Sequence, residues 1–435
     1  MSLEGGNLAI LCGAGLSMGS PTDLPSAAAL TTTCVAAYES ITGDTVPVSQ
    51  RADLEAFASF LIDRNQLVVP FIERIVPWEA RFQRRPNAGH VAIADLLLSN
   101  AIVAAVSTNY DTHIEDASAD LGEGDPRGAL DGVEANLYAD RYKPLLKLHG
   151  CCRRSRNETV WHPRQLDDPT ISARISSAAT WLAGHLQGRD LLIVGFWSDW
   201  AYLNAVLESC VQSVRPQAII VVNPDTASTL QTKAHSLWSW TQACGAHFFH
   251  EEEPAEVFLH DLRRVALEQF VRRLLFASTG KFLDLLGREF SGTLPDLALL
   301  SVEALFAFRH DIAARASDEP VRTQRPEGLE HAGAILLRMI ELDAEFLGDM
   351  LVLNGEGIRL IRRPSGTRMS QVRADLDSAG GLSPAVDRVV CVDCLSDSLP
   401  SDIVRGSRPA GIVRGGSSAT WMSIDEFYPY LGIAV

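Results

Sequence analysis

Over roughly the first 250 residues, short apolar runs that end in small or polar residues alternate with longer stretches whose apolar positions recur at helical spacing. Leu8-Ala9-Ile10-Leu11-Cys12 stops at Gly13-Ala14-Gly15, and Val106-Ser107-Thr108-Asn109-Tyr110-Asp111 closes a second run. Lys147-Leu148-His149-Gly150 closes a third, and Leu191–Phe196 and Ala218–Pro224 come after it. Helical spacing covers most of Ser26 to Arg85, where Leu54, Phe57, Phe60, Leu61, Val68 and Phe71 are set for one buried face. It returns after Arg85-Pro86-Asn87, around Tyr202–Val214 and Thr226–Gln242, and from Pro254 to Phe276. Strand and helix in alternation predict an α/β fold, a doubly wound parallel sheet.

Past about residue 280 the rhythm changes. Helical signal runs through Phe282–Phe308 and Gly328–Leu353, with the polar linker Ala316–Pro326 between them. From Gly355 short apolar runs are broken by Gly, Pro and Ser, and Arg388–Val392 and Ala410–Val413 read as strands. The expected division is a catalytic domain over 1–278, with a helical insertion at about 26–85, and a C-terminal α+β module for interaction or assembly over 279–435. Gly122 to Gly132, rich in Gly, Asp and Pro, reads as a surface loop.

Composition narrows the classes. A net charge of −16 argues against unaided nucleic-acid binding, which needs a basic face. Local basic groups (Arg153, Arg154 and Arg156; Arg359, Arg362, Arg363 and Arg368; Arg405, Arg408 and Arg414) read as solvated surface or as a docking face for a partner. No charge-free stretch is long enough to span a bilayer and no secretory signal precedes the first run, so a cytoplasmic protein without membrane contact is expected. The eight cysteines follow no framework spacing, and Cys12, Cys34 and Cys210 lie in apolar segments, as reduced buried thiols do.

In a doubly wound sheet the ligand crevice lies at the strand ends, where the chemistry is concentrated here. Gly13 and Gly15 permit a close backbone approach, and a following helix would aim free N–H groups at a diphosphate. Asn109 and Asp111, two apart on an extended strand end, can face one side, although an Asx turn ending a strand would use the same residues. His149 is the candidate general base, with a buried strand-capping histidine as the alternative. His90 reads as helix capping or packing, and His162, His247 and His250 as surface or loop residues rather than metal ligands. Cys391-Val392-Asp393-Cys394 has C-x-x-C spacing without a second pair, which favours a buried strand segment over a metal or redox site.

Taken in order, these segments resemble the sirtuin family: a G-A-G-x-S loop, a P-N-x-x-H helix start, a T-x-N-x-D strand end, an H-G dipeptide, a glycine-bearing fourth strand and a V-N end. The resemblance implies a sirtuin-type, Rossmann-like fold with NAD as substrate. It assigns Gly13, Ala14, Gly15 and Ser17 to the diphosphate, Asn109 to the nicotinamide ribose and attacking water, Asp111 to the carboxamide, and proton acceptance to His149. Gly195, Ser198 and Asn223 would line the adenosine side, and Asp23 joins the cofactor-binding set from the adjoining loop. Trp197 and Trp200 either stack near the adenine or pack the following helix, and packing is the preferred reading.

Two departures refine the expectation. Deacylase sirtuins carry a zinc ribbon of two C-x-x-C pairs after the H-G dipeptide. Here the stretch from His149 to Leu191 holds only the adjacent Cys151 and Cys152, so no zinc or other metal is expected. The loop Gly19-Ser20-Pro21-Thr22-Asp23-Leu24-Pro25 lacks the Phe and Arg of the deacylase G-I-P-D-F-R run, and resembles the zinc-less bacterial sirtuin-like NAD hydrolases of antiphage defence. That branch implies an NAD glycohydrolase effector that depletes NAD when activated. It also implies a homo-oligomer, paired with a sensor such as a helicase-type ATPase or a short Argonaute. The alternatives are an NAD-dependent deacylase or ADP-ribosyltransferase, and a non-enzymatic NAD or ADP-ribose sensor.

Overall fold

Leu8–Cys12 is buried over its whole length and forms β1, one of the two central strands of a six-stranded parallel sheet. The other strands are β2 (Ile102–Ser107), β3 (Leu145–Lys147), β4 (Asp190–Val194), β5 (Ala218–Val222) and β6 (His247–Glu251). In this computed structural model their order is β3-β2-β1-β4-β5-β6, every pair parallel. This is the order of the doubly wound dinucleotide folds, with the winding reversing between β1 and β4. Strands covered on both faces need continuous apolar runs, which is why L-A-I-L-C, L-L-I-V and I-I-V-V suit these positions. Leu11, Val106, Leu146, Ile193 and Val221 pack with Ile175, Trp181 and Leu182 of the helix Pro169–Leu186 in one core.

The structure describes all residues except 1–2, 4–5, 83, 122–127, 140–142, 187, 200–215, 244–246, 314–328, 348–349, 364–365, 379–385, 395–418 and 434–435. The expected helix at Tyr202–Val214, the linker Ala316–Pro326, the strand Ala410–Val413, Trp200, Cys210, Arg405, Arg408, Arg414 and most of the Gly122–Gly132 loop lie outside the described residues. The chain divides into two compact units, one built on Met1–Arg263 and one on the residues from Arg264 onward. Among the described residues no helix is long and apolar enough to cross a membrane.

Between β1 and β2 the chain is helical. Ser26 caps the helix Ala27–Thr42, which ends at Gly43 with φ +74°, and Asp53 caps Leu54–Asp63. Phe57, Phe60, Leu61 and Phe71 are buried together with Tyr38, Trp78 and Trp161 in a separate aromatic core. Val68, expected on that face, is exposed. The wide helical segment Leu67–Ile75 kinks at Val69-Pro70, which breaks the phase of the apolar positions on either side.

The edge strand β6 replaces the loop expected at His247–His250. His247, Phe249 and Glu251 face out and Phe248 and His250 are half-buried, so the run lacks the apolar continuity that marks the inner strands.

The second unit carries the sheet β11-β10-β9-β8-β7, from β7 (Glu345–Leu347), β8 (Met350–Leu353), β9 (Glu356–Arg362), β10 (Arg388–Val392) and β11 (Thr420–Ser423). β7 to β9 are antiparallel neighbours and β9 to β11 parallel ones. The helical signal proves shorter than its apolar spacing suggests. Phe282–Phe308 is interrupted after Leu286, where Gly287 at φ +65° caps the helix; a single 3-10 turn follows at Leu297–Leu299, and α-helix resumes at Val302. Gly328–Leu353 is helical over Glu330–Glu341; Asp343 then turns at φ +63°, and β7 and β8 complete the segment. Asn354-Gly355, both at positive φ, joins Leu353 to Glu356 as a two-residue hairpin.

Candidate active site

The carboxyl ends of β1 to β5 converge on a cleft of about 440 Å³. Ala14, Gly15 and Ser17 reach it after β1, Asn109 and Asp111 after β2, His149 after β3, Gly195 and Ser198 after β4, and Asn223 after β5. This is the crevice expected where the winding reverses. Leu24 from the loop before the helical insertion, and Leu30, Leu54 and Phe82 from the insertion, supply an apolar wall.

Two expected residues stand elsewhere. Gly13 is buried and does not line the cleft: its amide donates to Val194 O at 3.2 Å and its carbonyl accepts from Asn109 Nδ2 at 3.1 Å. Asp23 is exposed at a turn with φ +46°, and the chain beyond it brings Leu24 and Pro25, not Asp23, to the cleft.

The glycines act first on the protein itself. After β1 comes a single tight turn, Ala14–Met18, in place of a long helix with free amides. The Gly15 amide donates to Gly195 O at 2.7 Å and the Leu16 amide to Gly13 O at 3.0 Å. A Cβ on Gly15 would lie 2.9 Å from Gly195 Cα, and one on Gly195, whose φ is +61°, would lie 2.4 Å from Leu16 N. The two glycines therefore interlock the ends of β1 and β4, a close approach that any side chain would block.

Ser17 lines the cleft and also ties its neighbours together. Its hydroxyl oxygen is 3.1 Å from His90 Nε2, accepts from Asn109 Nδ2 at 3.0 Å and donates to Asp111 Oδ2 at 2.9 Å. A hydroxyl has one proton and two lone pairs, so it is fully engaged in holding the site together. His90 is the capping residue expected: Asn87 Oδ1 accepts from the Gly89 and His90 amides, and His90 Nδ1 accepts from the Asn87 amide. Burial pulls the His90 imidazole down to about 4.

Both amide hydrogens of Asn109 are used, on Gly13 O and Ser17 Oγ. A carbonyl can only accept, which fixes the amide orientation and leaves Oδ1 as the atom offered to the cleft. Asp111 is buried, with Oδ1 accepting from the His113 amide at 3.3 Å, so the Asx turn and the site position coexist. Burial opposes its charge, but His113, His90, Lys147 and the Ser17 hydroxyl outweigh it and hold the carboxyl below its usual range.

His149 is buried, its ring tilted 6.2 Å from Tyr110, and it donates to the Thr108 backbone. Burial, reinforced by Arg174, pulls its imidazole down to about 3, so the ring is neutral at physiological pH.

Sequence reasoning passed over Lys147. It is fully buried at the end of β3, donates to the Asp111 carbonyl and lies 3.4 Å from Glu115 Oε1. Burial works against its charge, but Glu115 foremost, with Cys151 and Asp111, holds the ammonium above its ordinary value. The available signal was a lone lysine inside an apolar strand. Asp225 and Lys233, 2.5 Å apart, line the cleft near Asn223, and only their eight-residue spacing hinted at this. Trp197 borders the cleft while its indole donates to Leu230 O at 2.7 Å, which fits packing. Among the described residues no group of three or more His, Cys, Asp or Glu side chains is arranged to hold a metal ion.

Residues 103–242 match the model of a SIR2-like domain. Solved structures similar to this chain include SIR2 in complex with an inhibitor, 2'-O-acetyl-ADP-ribose and a deacetylated p53 peptide. Its identity is 14%, with 59% of this chain and 91% of that one covered and a TM-score of 0.29. Sir2Tm bound to a propionylated peptide has 14% identity, the same coverage and a TM-score of 0.30. No curated protein matches the chain.

Proposed function

Residues 103–242 match the model of a SIR2-like domain, and from that premise we propose that the chain is an NAD-using enzyme that hydrolyses NAD to nicotinamide and ADP-ribose. The observation that carries this reading is the convergence of Asn109, Asp111 and His149 on one cleft with Gly15 and Asn223. The nicotinamide of NAD leaves as a neutral ring, taking the electrons of the bond to the ribose. The protein's task is to orient that bond, stabilise the ribosyl cation and admit water. Asn109 Oδ1 accepts a hydrogen bond from the attacking water or a ribose hydroxyl. Asp111, held ionised, opposes the positive charge of the nicotinamide ribosyl group. Neutral His149 takes the proton as water adds to the cation, a role worth about 10²–10⁴-fold in rate.

A 40-residue stretch after His149–Gly150 with only two adjacent cysteines, 151–190, supports hydrolysis over zinc-dependent deacylation. In the cell the proposed role is an antiphage effector that depletes NAD. It would act as a homo-oligomer under a sensor partner of the helicase-type ATPase or short Argonaute kind.

The test is chromatography of NAD incubated with the full chain, alone and with its activating partner. Nicotinamide and ADP-ribose are expected without any acylated peptide, and turnover confined to acyl-lysine peptide would overturn the reading. His149→Ala is expected to lose about 10²–10⁴-fold in turnover with NAD affinity nearly kept, and Asn109→Ala to lose turnover as well. Because His149 is already neutral, kcat/KM is expected to stay flat between about pH 5 and 8, with no inflection near 6.5.

A further inference from the structure

The C-x-x-C segment of the second unit divides its two sulfurs between different surroundings. Cys391 lies within β10 and is 1% exposed, packed with Ile361, Val389 and Val372. Cys394 lies just past the strand end, half-buried against the same cluster. Cys391 and Cys394 are packed in one cluster as hydrogen-bonding neighbours, and both Cys391 and the Arg363 backbone favour the ionised form of Cys394. Between the cysteines, Asp393 sits at φ +59° and brings the chain round after the strand. Its carboxylate accepts from Arg362 Nε at 2.7 Å and lies 3.8 Å from His331 Nδ1, so the bend that sets the two sulfurs together is tied on both sides. These are the parts of a dithiol pair: a half-buried sulfur past the strand end and a shielded one within the strand, packed in the same cluster.

We propose that Cys394 and Cys391 form a reversible dithiol–disulfide site that exchanges with small disulfides, Cys394 attacking and Cys391 resolving. The Cys394 thiolate attacks one sulfur of R–S–S–R; a mixed disulfide forms and R–S⁻ leaves. Cys391 then gives up its proton to solvent and attacks the Cys394 sulfur, expelling the second R–S⁻. Two protein thiols are oxidised to one disulfide while one small disulfide is reduced to two thiols. The hydrogen bond with Cys391, the Arg363 backbone and the Arg363 charge together hold the Cys394 thiol below its ordinary value despite burial. The other described cysteines, Cys12, Cys34, Cys151 and Cys152, are all buried.

The sequence allows a clean readout, because cleavage after Arg388 and Arg405 yields one peptide, 389–405, whose only cysteines are this pair. Full-length protein is treated with glutathione disulfide, quenched with an alkylating agent, digested and weighed. The expected product is that peptide lighter by two hydrogens and blocked to alkylation, restored by dithiothreitol. Cys391→Ser is expected to leave one glutathione on Cys394, and Cys394→Ser to lose modification of this peptide. In the reduced wild type, Cys394 is expected to alkylate at least ~10-fold faster than Cys391. Recovery of the wild-type peptide with both thiols free after the disulfide treatment would overturn the proposal. So would undiminished modification of Cys391 in the Cys394→Ser protein.

Discussion

In the first unit the parallel strands β1 to β5 end around an open cleft of about 440 Å³, whereas in the second the parallel strands β9 and β10 end in paired charges. Arg362 at the end of β9 donates to Asp393 just past β10 at 2.7 Å. The difference lies in the segments that the strands run into. After β1 and β4 come glycines that bring two backbones together and leave the polar side chains of neighbouring strand ends to turn inward. Among the described residues at the ends of β9 and β10, Arg362 and Asp393 reach each other and pair. A parallel sheet thus offers a place for a site, and the residues just beyond its strands decide whether the place stays open.

The strongest way to break this comparison is one methyl group placed in each unit. Gly195→Ala adds a Cβ 2.4 Å from Leu16 N at φ +61°, and is expected to cost upward of about 3 kcal/mol. Gly355→Ala meets nothing within 4 Å at φ +79°, and is expected to cost about 1 kcal/mol. Thermal unfolding of the two variants measures the contrast, and equal losses would mean that the glycine interlock does not hold the cleft.

A smaller effect is expected from Ser17→Ala, which takes one bond each from Asn109, Asp111 and His90 inside the buried site. The loss is about 1–3 kcal/mol of stability, with a larger proportional fall in NAD turnover than in affinity. Turnover unchanged in that variant would remove Ser17 from the positioning of Asn109 and Asp111.

Acid sharpens the comparison with the least force. His90 and His149 titrate at about 4 and about 3 when folded and near 6.5 when unfolded, so below about pH 6.5 the unfolded chain binds more protons. Stability of the first unit is expected to fall on acidification from that point, by up to about 1.4 kcal/mol per pH unit for each histidine, and to level off at the folded values. In the second unit Glu341, held at about 2 chiefly by Arg288, contributes stability that is present above about 4.5 and lost as pH falls through the folded value. Hydrogen exchange between about pH 7 and 5 should therefore loosen the first unit and spare the second; loosening of the second over the same window would contradict this assignment.

Much of this was legible from the chain. The strand ends carrying Asn109, Asp111, His149, Gly195 and Asn223 announce themselves because inner strands are continuously apolar and then stop. Less legible was how they are joined. Ser17 and His90 are 73 residues apart, and nothing local in either says that they meet. Gly15 reads as a ligand contact because the turn is short and bare, but its amide is met by Gly195 O. The β7–β8 hairpin hides in an apolar segment whose spacing also fits a helix, and only the turn at Asp343 separates the two. Asp23 illustrates the limit of carrying a motif across: the loop keeps the pattern and the turn angle sends that side chain to solvent.

The Asn87 amide has a consequence beyond capping a helix. Because it donates to His90 Nδ1, the proton of that neutral ring must sit on Nε2 and be given to Ser17. Ser17 then has only one direction in which to give its own, toward Asp111. Every bond in this row points the same way, from the mouth of a helix to a carboxylate, so the row has a polarity and Asp111 stands at its accepting end. Turning it round would require breaking the helix cap, so the first turn of Ala88–Leu98 fixes the electrostatic sense of a cleft that the helix itself does not line.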